Sequence, residues 1–343
     1  MNRNLSDGLN LLSKLTPRRT INAAKVVSSY YLSKWINKPI HWGLPISISI
    51  EPTTSCNLRC PECPSGIRSF SRNTGMLGED IFEKTINELH EYITYLILYF
   101  QGEPYLNPRF FDYVKFAAHK KIYTATSTNG HFLSPENAEK TVQSGLDRLI
   151  ISIDGTTQET YEKYRKGGNL EKVLHGAKEI VAAKKRLKSK TPHLIFQMVV
   201  FSTNENQIKD LYLLAEQVGV NEVAIKTAQI YDYENGNPLI PINEKWSRYK
   251  KGPNGRYHIK NELLNQCWRM WNSCVLTWDG HVVPCCFDKD ASHRMGNIAE
   301  KSFETIWKSN EYKNFRTAIL SSRSQIEICR NCSEGTKVWE REI

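Results

Sequence analysis

Three cysteines lie close together in the first fifth of the sequence. Residues 55–64 read SCNLRCPECP, so Cys56, Cys60 and Cys63 have the spacing C-x-x-x-C-x-x-C directly after the alternating apolar run LPISISIE. Four thiolates would complete a zinc or iron–sulfur site, whereas three leave one metal position open. The spacing therefore predicts a metal centre with one position free for another ligand, on a loop that follows a strand.

The other six cysteines are all near the C-terminal end of the sequence. Clustered cysteines in a reducing compartment more often bind metal or do chemistry than form disulfides. Two metal regions on separate pieces of structure are thus the simplest interpretation, and four thiolates of the second region suit either zinc or iron–sulfur. These six residues are Cys267, Cys274, Cys285, Cys286, Cys329 and Cys332.

The elements that position the first cysteines follow from the alternation of apolar runs. Between residues 44 and 227, short β-branched runs alternate with helical patterns, which is typical of βαβ units and a parallel sheet. We therefore predict an α/β fold with six strands, short of the eight that close a full barrel. The predicted strands cover residues 45–51, 95–100, 122–127, 147–153, 194–201 and 221–227.

Polar motifs follow four of these strands. The cysteine loop follows the first strand, QGEP (101–104) the second, STNG (127–130) the third and SIDG (152–155) the fourth. In barrels of this type, the loops at the carboxyl ends of the strands carry the chemistry. We therefore expect the four motifs to meet at one end of the sheet.

The chain divides into four segments by composition. We predict a basic helical extension over 1–43, a barrel over 44–230, a linker or lid over 231–262 and a small C-terminal domain over 263–343. The C-terminal segment contains a hairpin that turns at Asp279-Gly280, a favoured two-residue turn. A helix follows the hairpin within the same segment.

The net charge of +10 is concentrated at the start of the chain, since residues 1–40 hold seven Lys or Arg and one Asp. Apolar residues recur there at helical spacing, with lysines on other faces. We expect this helix to pack on the main domain; docking to a membrane surface or a partner is the alternative, and nucleic acid binding is not expected. The apolar residues are Ala23, Val26, Val27, Tyr30 and Tyr31, and the lysines are Lys25 and Lys34.

No apolar run reaches the length of a membrane-spanning helix, and the start MNRNLSDGLN lacks the apolar region of a signal peptide. A cytoplasmic location is the expectation.

The first half of the sequence resembles the radical S-adenosylmethionine (radical SAM) enzymes. Cys56, Cys60 and Cys63 match the cluster-ligand positions, and Gly102-Glu103-Pro104 resembles the GGEP motif, with Gln101 in place of its first glycine. The resemblance implies a partial (β/α)6 barrel and a 4Fe-4S cluster whose open iron binds SAM. It also implies reductive cleavage of SAM to a 5'-deoxyadenosyl radical that abstracts a substrate hydrogen, with flavodoxin or ferredoxin as electron donor.

The same resemblance implies which residues contact SAM. The carboxylate of Glu103 faces the amino group, and Arg165 pairs with the SAM carboxylate through its guanidinium fork. Glu62 stands where an aromatic residue often covers adenine. The further polar contacts to ribose and carboxylate are Ser127, Asn129, Ser152 and Asp154.

The C-terminal part resembles the auxiliary-cluster domains called SPASM and, in the one-cluster form, twitch. Twelve residues separate Cys267 from Gly280 and four separate Gly280 from Cys285, before a later C-x-x-C. The resemblance implies one auxiliary 4Fe-4S cluster, and leaves Asp288 as a weak candidate for a catalytic proton acceptor. Its ligands would be Cys267, Cys285, Cys329 and Cys332. Cys286 is expected to be buried or to neighbour the ligands, and Cys274 to be a strand residue, with ligation as the alternative.

These features predict a radical SAM oxidoreductase in which the auxiliary cluster accepts an electron. The short segment before the first strand favours dehydrogenation of a small sugar-like or aminocyclitol substrate. Modification of a peptide or protein is the alternative, through a separate recognition protein. A zinc-binding interaction protein is the third hypothesis.

Overall fold

The computed structural model describes residues 3–260 and 262–333. Its main sheet contains six parallel strands that pair in chain order, so the predicted α/β barrel core and all six predicted strands are present. The strands of this core are β1 (Ser47–Ile50), β2 (Tyr95–Ile97), β3 (Tyr123–Thr128), β4 (Arg148–Ser152), β5 (His193–Val200) and β6 (Glu222–Thr227).

Helices lie before, between and after these strands. Pro135 is the first residue of α6, and Ser134 caps the helix because its Oγ accepts the backbone N–H of Asn137 at 3.2 Å. The helices are α1 (Arg3–Ser13), α2 (Pro17–Ile36), α3 (Pro64–Ile67), α4 (Glu79–Leu89), α5 (Phe110–His119), α6 (Pro135–Gln143), α7 (Gln158–Tyr164), α8 (Leu170–Arg186), α9 (Ile208–Val218), α10 (Arg269–Asn272), α11 (Phe303–Trp307), α12 (Asn310–Ser322) and α13 (Glu327–Arg330).

Burial of apolar side chains between the strands and helices forms the main core. Fully buried residues of the strands face fully buried residues of the helices, for example Ile48 and Leu96 with Phe82 and Ile86 of α4. Because the strands are parallel, their carboxyl ends lie at one edge of the sheet. The loops that follow β1 to β4 therefore share this end of the barrel.

The segment predicted as a linker or lid, residues 231–262, contains a short β-hairpin. Strands β7 (Tyr249–Lys251) and β8 (Tyr257–Ile259) pair antiparallel there. Buried Tyr249 and Ile230 belong to the same apolar cluster as Leu58 and Cys60 of the cysteine loop. This segment therefore packs against the cysteine loop.

The C-terminal hairpin joins the main sheet. β9 (Ser273–Leu276) and β10 (His281–Val283) are antiparallel around the predicted turn, where Gly280 has a φ of 86°. β9 also pairs in parallel with β1, which places Cys274 opposite Ile48, and β11 (Gly296–Asn297) adds the outermost strand. The auxiliary region thus extends the barrel sheet to nine strands in the order β11-β10-β9-β1-β2-β3-β4-β5-β6.

Helices α1 and α2 cover the other end of the barrel. The buried guanidinium of Arg19 donates to the backbone oxygens of His90, Lys120 and Lys121, which precede β2 and β3. Asp7 of α1 accepts from the hydroxyl of Tyr123 at the start of β3. The two helices are therefore fixed at the amino ends of the strands, opposite the cysteine loop.

The side of α2 that packs on the barrel is only partly the one that its sequence predicts. Val26 and Tyr30 are buried as expected, but the prediction is wrong for Val27 and Tyr31, which are exposed. The inward face instead carries small and polar residues with specific hydrogen bonds, such as Asn22 to the backbone oxygen of Leu44 at 2.9 Å. Among the described residues, no helix is long and apolar enough to span a membrane.

Candidate functional site

The loop after β1 brings its three cysteines together at the carboxyl end of the barrel. Cys60 is buried, whereas Cys56 and Cys63 are partly exposed. The loop turns tightly, since the backbone N–H of Cys63 donates to the Cys60 oxygen at 3.3 Å and that of Leu58 lies 3.5 Å from Cys56 Sγ. A Cβ at Gly66 would lie 2.5 Å from the Cys60 oxygen, so only glycine lets α3 pack back on this loop.

The turn that contains Glu103 is bound directly to the cysteine loop. The backbone N–H of Glu103 donates to the Ser55 oxygen and that of Gly102 to Ser65 Oγ, both at 2.8 Å. Gly102 has a φ of 72°, and a Cβ there would lie 2.3 Å from the Thr53 oxygen. The glycine of the GEP motif is thus required both by its conformation and by the close approach of the two loops.

The Glu103 carboxylate is buried, with 2% of the residue exposed, and points into this end of the barrel. Oε1 accepts from Thr128 Oγ1 at 2.7 Å and Oε2 from the backbone N–H of Asn129 at 2.8 Å. Burial raises the pKa of Glu103 to about 7, against the lowering effect of these hydrogen bonds and of the Arg165 charge. The Glu103 carboxylate is therefore held in one position and shielded from water, and it could pair with a bound cation.

Asn129 connects this carboxylate to the cysteines. Its Nδ2 donates to Asn57 Oδ1 at 2.8 Å and lies 3.8 Å from Cys56 Sγ. Sequence reasoning missed Thr128 and Asn57 as site residues. The STNG motif contained the signal for Thr128, because this threonine is the last residue of β3 and lies within the motif.

Asp154 and Arg165 form a buried ion pair beside the loop. Arg165 Nε donates to Asp154 Oδ2 at 2.6 Å, and Asp154 Oδ1 accepts from the backbone N–H of Val199 at 2.7 Å. Both carboxylate oxygens are thus used within the protein, and Arg165 lies close enough to Cys60 for its charge to oppose the burial that raises the pKa of that thiol to about 11. Asp154 is better placed to hold Arg165 than to touch a ligand itself.

The remaining predicted SAM contacts lie at the same end of the barrel. Ser127 is partly exposed near the end of β3, and Ser152 is buried at the end of β4. Pro104 is buried and begins a short 3-10 turn after Glu103. A cavity of about 450 Å³ opens beside Cys56 and is lined by Thr54, Ser55, Cys56, Ser65, Arg68, Phe70 and Thr74.

Four cysteines from separate segments meet in the C-terminal region. Burial and the nearby thiols of Cys286, Cys267 and Cys332 raise the pKa of Cys285. Burial, Cys332 and Cys267 likewise raise the pKa of Cys329 to about 12. The thiols of the four predicted auxiliary ligands therefore lie within electrostatic range of one another, together with that of Cys286. The four are Cys267, Cys285, Cys329 and Cys332.

A buried guanidinium accompanies these four thiols. Arg323 Nη2 donates to Cys332 Sγ at 3.4 Å, while Nη1 donates to the Gln266 backbone oxygen at 2.7 Å beside Cys267. A positive charge in this place suits a centre made of several thiolates. Sequence reasoning missed Arg323, because its 3-10 turn carries no recognisable motif.

The two other cysteines of the region have different surroundings. Cys274 is buried in β9, where burial raises its pKa to about 12 and the neighbouring polar groups are Tyr312 and Arg316. Cys286 packs against an apolar cluster that includes Val275 and Val283. Cys274 thus neighbours polar groups of α12, whereas Cys286 lies beside Cys285.

Asp288, the weak candidate for a catalytic proton acceptor, is buried in a turn of the C-terminal region. The residue is 1% exposed, and its two carboxylate oxygens accept the backbone N–H groups of Ser292 at 2.7 Å and His293 at 2.9 Å. Because both oxygens are committed to a turn, Asp288 has a structural role here.

The two cysteine regions are joined by a buried pair that the sequence did not reveal. Arg72 donates through Nη1 to Glu51 Oε2 at 2.8 Å and through Nη2 to Oε1 at 2.5 Å. Arg72 Nε also reaches the backbone oxygen of Lys289 at 3.2 Å, and the Trp278 N–H donates to Glu51 at 3.3 Å. The end of β1 is therefore tied to the C-terminal region.

Glu62, which stands where an aromatic residue often covers adenine, contacts the 231–262 segment. Its Oε2 accepts the backbone N–H of Tyr231 at 2.9 Å. The residue thus fixes the start of the 231–262 segment to the cysteine loop.

The donor sets fit iron–sulfur clusters. Three thiols share one loop beside a buried carboxylate, and four thiols from distant segments meet around a guanidinium; soft thiolates are the usual ligands of such clusters. Metal binding would deprotonate these thiols, whose burial otherwise favours the neutral form. In the described part of the chain, no three His, Cys, Asp or Glu side chains lie close enough to hold a single metal ion.

Comparison with known proteins agrees with this geometry. The Radical SAM superfamily profile matches residues 50–215, and a profile described as SPASM, an iron-sulfur cluster-binding domain, matches residues 267–333. The tungsten-containing aldehyde ferredoxin oxidoreductase cofactor-modifying protein of Pyrococcus furiosus is 27% identical over 83% of this chain and 86% of its own length. The PqqA peptide cyclase of Gluconobacter oxydans is 24% identical over 86% of this chain and 84% of its own.

Among solved structures, BtrN in complex with AdoMet and 2-DOIA has a similar fold. Its TM-score is 0.53 at 18% identity, covering 87% of this chain and 97% of BtrN. The chain belongs to the radical SAM superfamily, whose members use SAM and a 4Fe-4S cluster, and it carries an iron–sulfur cluster-binding SPASM domain at its C-terminal end.

Proposed function

We propose that this enzyme dehydrogenates a small sugar-like or aminocyclitol substrate after reductive cleavage of SAM. The observation that supports SAM cleavage is the buried Glu103 carboxylate, which is held by Thr128 and Asn129 beside the three-cysteine loop. When bound, the 4Fe-4S cluster and SAM supply a 5'-deoxyadenosyl radical that abstracts a hydrogen atom from the substrate.

The residues around the first loop would share the work of holding these groups. Cys56, Cys60 and Cys63 would ligate three irons, and Glu103 would pair with the SAM ammonium through a charge-assisted hydrogen bond. Arg165 would meet the SAM carboxylate with the part of its guanidinium that Asp154 leaves available. Ser127, Asn129 and Ser152 remain proposed polar contacts at the ends of β3 and β4.

The C-terminal site would accept the second electron of the oxidation, and the proton of the substrate hydroxyl would pass to solvent. Cys267, Cys285, Cys329 and Cys332 would hold one auxiliary 4Fe-4S cluster, and Arg323 would stabilise its negative charge. Reduced flavodoxin or ferredoxin would supply the electron for SAM cleavage.

The position of the N-terminal helices supports a small substrate. Arg19 and Asp7 fix α1 and α2 at the amino ends of the strands, so these helices cannot present a peptide at the cysteine loop. BtrN, whose structure is solved in complex with AdoMet and 2-DOIA, shares the fold. Peptide modification is the second candidate, favoured by the similarity to the PqqA peptide cyclase.

Cysteine variants test the two cluster assignments. After anaerobic reconstitution, the enzyme should contain about eight irons and cleave SAM only with reductant. Cys56→Ala should abolish cleavage, whereas Cys329→Ala should retain cleavage and lose about half of the iron. Cys274→Ala, a buried cysteine outside the four-thiol site, is the matched control and should retain all of the iron.

Zinc without iron after reconstitution, or unchanged iron in Cys329→Ala, would contradict these assignments. The substrate class needs a separate measurement, in which deuterated alcohols and peptides are supplied and 5'-deoxyadenosine is analysed by mass spectrometry. Deuterium transferred from a polyol or aminocyclitol supports the proposal, and transfer only from a peptide supports the alternative.

A further inference from the structure

Helix α2 exposes its larger apolar side chains. Trp35 is 84% exposed, Tyr31 62% and Ile21 57%, and Ala24 and Val27 are also exposed. Since each residue advances a helix by about 100°, these five positions occupy one stripe about 120° wide. The stripe lies opposite the barrel-facing side of α2.

Helix α1 adds a second exposed stripe. Leu5, Leu9 and Leu12 follow the i, i+4, i+7 spacing of one helix face and are 54%, 50% and 59% exposed. Leu15, in the turn between the helices, and Trp42, after α2, are exposed as well. Exposed apolar residues in such number on one small segment mark an interaction surface more often than an ordinary solvated face.

Basic residues border the stripe of α2. Lys25 lies on one side of the stripe by helical position and Lys34 on the other, and both are exposed. Arg18 lies on the same side as Lys25, where it forms an ion pair with Glu91. The single acidic residue of 1–40, Asp7, is buried in an ion pair with Arg148. The outward surface of α1 and α2 therefore combines apolar and positively charged groups.

This surface faces away from the cysteine loop. Arg19 binds the backbone oxygens that precede β2 and β3, whereas the cysteines follow the carboxyl end of β1. Contact at the helices would leave the catalytic end of the barrel accessible.

We propose that the exposed face of α1 and α2 docks the enzyme on an anionic lipid surface. The helices would lie in the plane of the interface, with the exposed leucines of α1 and the apolar stripe of α2 at the boundary between headgroups and acyl chains. Charge complementarity decides between occupants, because lysines on both sides of an apolar stripe match anionic headgroups. The proposal is independent of the substrate class.

The test is co-sedimentation of the reconstituted holoenzyme with vesicles. We expect the wild type to bind vesicles of phosphatidylcholine and phosphatidylglycerol, and to bind pure phosphatidylcholine weakly. Lys25→Gln/Lys34→Gln should weaken binding to the anionic vesicles about 30-fold at low salt, because each lysine contributes about fivefold. High salt should reduce the wild-type binding in the same direction.

Apolar variants separate lipid docking from simple charge attraction. Leu9→Gln/Leu12→Gln and Trp35→Gln should each weaken binding at least about tenfold. Matched controls are Ile242→Gln, an 85% exposed residue of the 231–262 segment, and Lys178→Gln on the exposed side of α8, which should bind like the wild type. All variants should retain iron content and SAM cleavage, since every substituted side chain is exposed.

Absence of vesicle binding by the wild type would overturn the proposal. Equal losses in the control variants would do the same. A concentration-dependent dimer that Leu9→Gln/Leu12→Gln dissociates, without any vesicle binding, would assign the surface to a second copy instead.

Discussion

Arg165 Nε lies 2.6 Å from Asp154 Oδ2, and this buried pair sits between the cysteine loop and β5. Both residues are candidate ligand contacts by sequence, yet in the structure one holds the other. Asp154 is therefore a positioning residue for Arg165, with consequences that differ for stability and for SAM binding.

Replacement of Asp154 should affect the stability of the protein and its affinity for SAM separately. Asp154→Asn keeps an acceptor for Val199 but leaves the buried guanidinium without its counter-charge, so we expect a loss of about 3 kcal/mol in the free energy of unfolding. SAM affinity should fall about tenfold. Asp154→Asn/Arg165→Gln should recover most of the stability and none of the affinity, as measured by chemical denaturation and equilibrium binding; recovery of both would contradict a positioning role.

Two glycines with similar backbone angles should respond differently to alanine. Gly102 has a φ of 72° and Gly167 a φ of 78°, but a Cβ at Gly167 would meet nothing within 4 Å. We expect Gly167→Ala to cost about 1 kcal/mol and leave SAM cleavage unchanged. Gly102→Ala must also displace the Glu103 turn from the cysteine loop, and should reduce the rate of 5'-deoxyadenosine formation about 100-fold. Equal effects of the two variants would argue against the close approach.

SAM binding should depend on pH through Glu103. Burial raises the pKa of Glu103 to about 7, so the carboxyl is neutral below that pH in the SAM-free enzyme. An ammonium ligand favours the ionised form, and binding below pH 7 must therefore release a proton. The dissociation constant should rise about tenfold for each pH unit below 7 and level off above it. Glu103→Gln should bind weakly with a flat profile, and a flat wild-type profile would remove Glu103 from the ammonium site.

The pair between Glu51 and Arg72 should contribute strongly to stability. Both side chains are at most 3% exposed, so Arg72→Met would leave a buried carboxylate unpaired and cost about 3–5 kcal/mol. Arg109→Met removes the partner of Glu79 in a pair whose side chains are 45% and 46% exposed, and should cost less than about 1 kcal/mol. Urea unfolding of the reconstituted proteins measures both; a similar small cost for the two variants would contradict the prediction.

The elements of the barrel could be predicted because their patterns are local. Alternating apolar runs and helical periodicity placed all six strands, and the hairpin at Asp279-Gly280 followed from its turn residues. Pairing of β9 with β1 could not be predicted, since it joins residues more than 200 positions apart and leaves no periodic signal. The outward stripe of α2 was also missed, because Val26 and Val27 are equally apolar and only packing decides which is buried.

By itself, the sequence determined the chemistry available to this protein: three thiols on one loop, a GEP turn after the second strand and four thiols in the C-terminal part. Residue type and short spacing specify the three-thiol loop and the GEP turn, because the geometry of each is set within a few peptide units, whereas the C-terminal thiols are recognised by residue type and a longer pattern of spacings. The tertiary structure decided which polar groups serve them. It assigned Asp154 to Arg165, Asp288 to a backbone turn and Arg323 to the C-terminal thiols, because the environment of a buried charge depends on segments that only folding brings together.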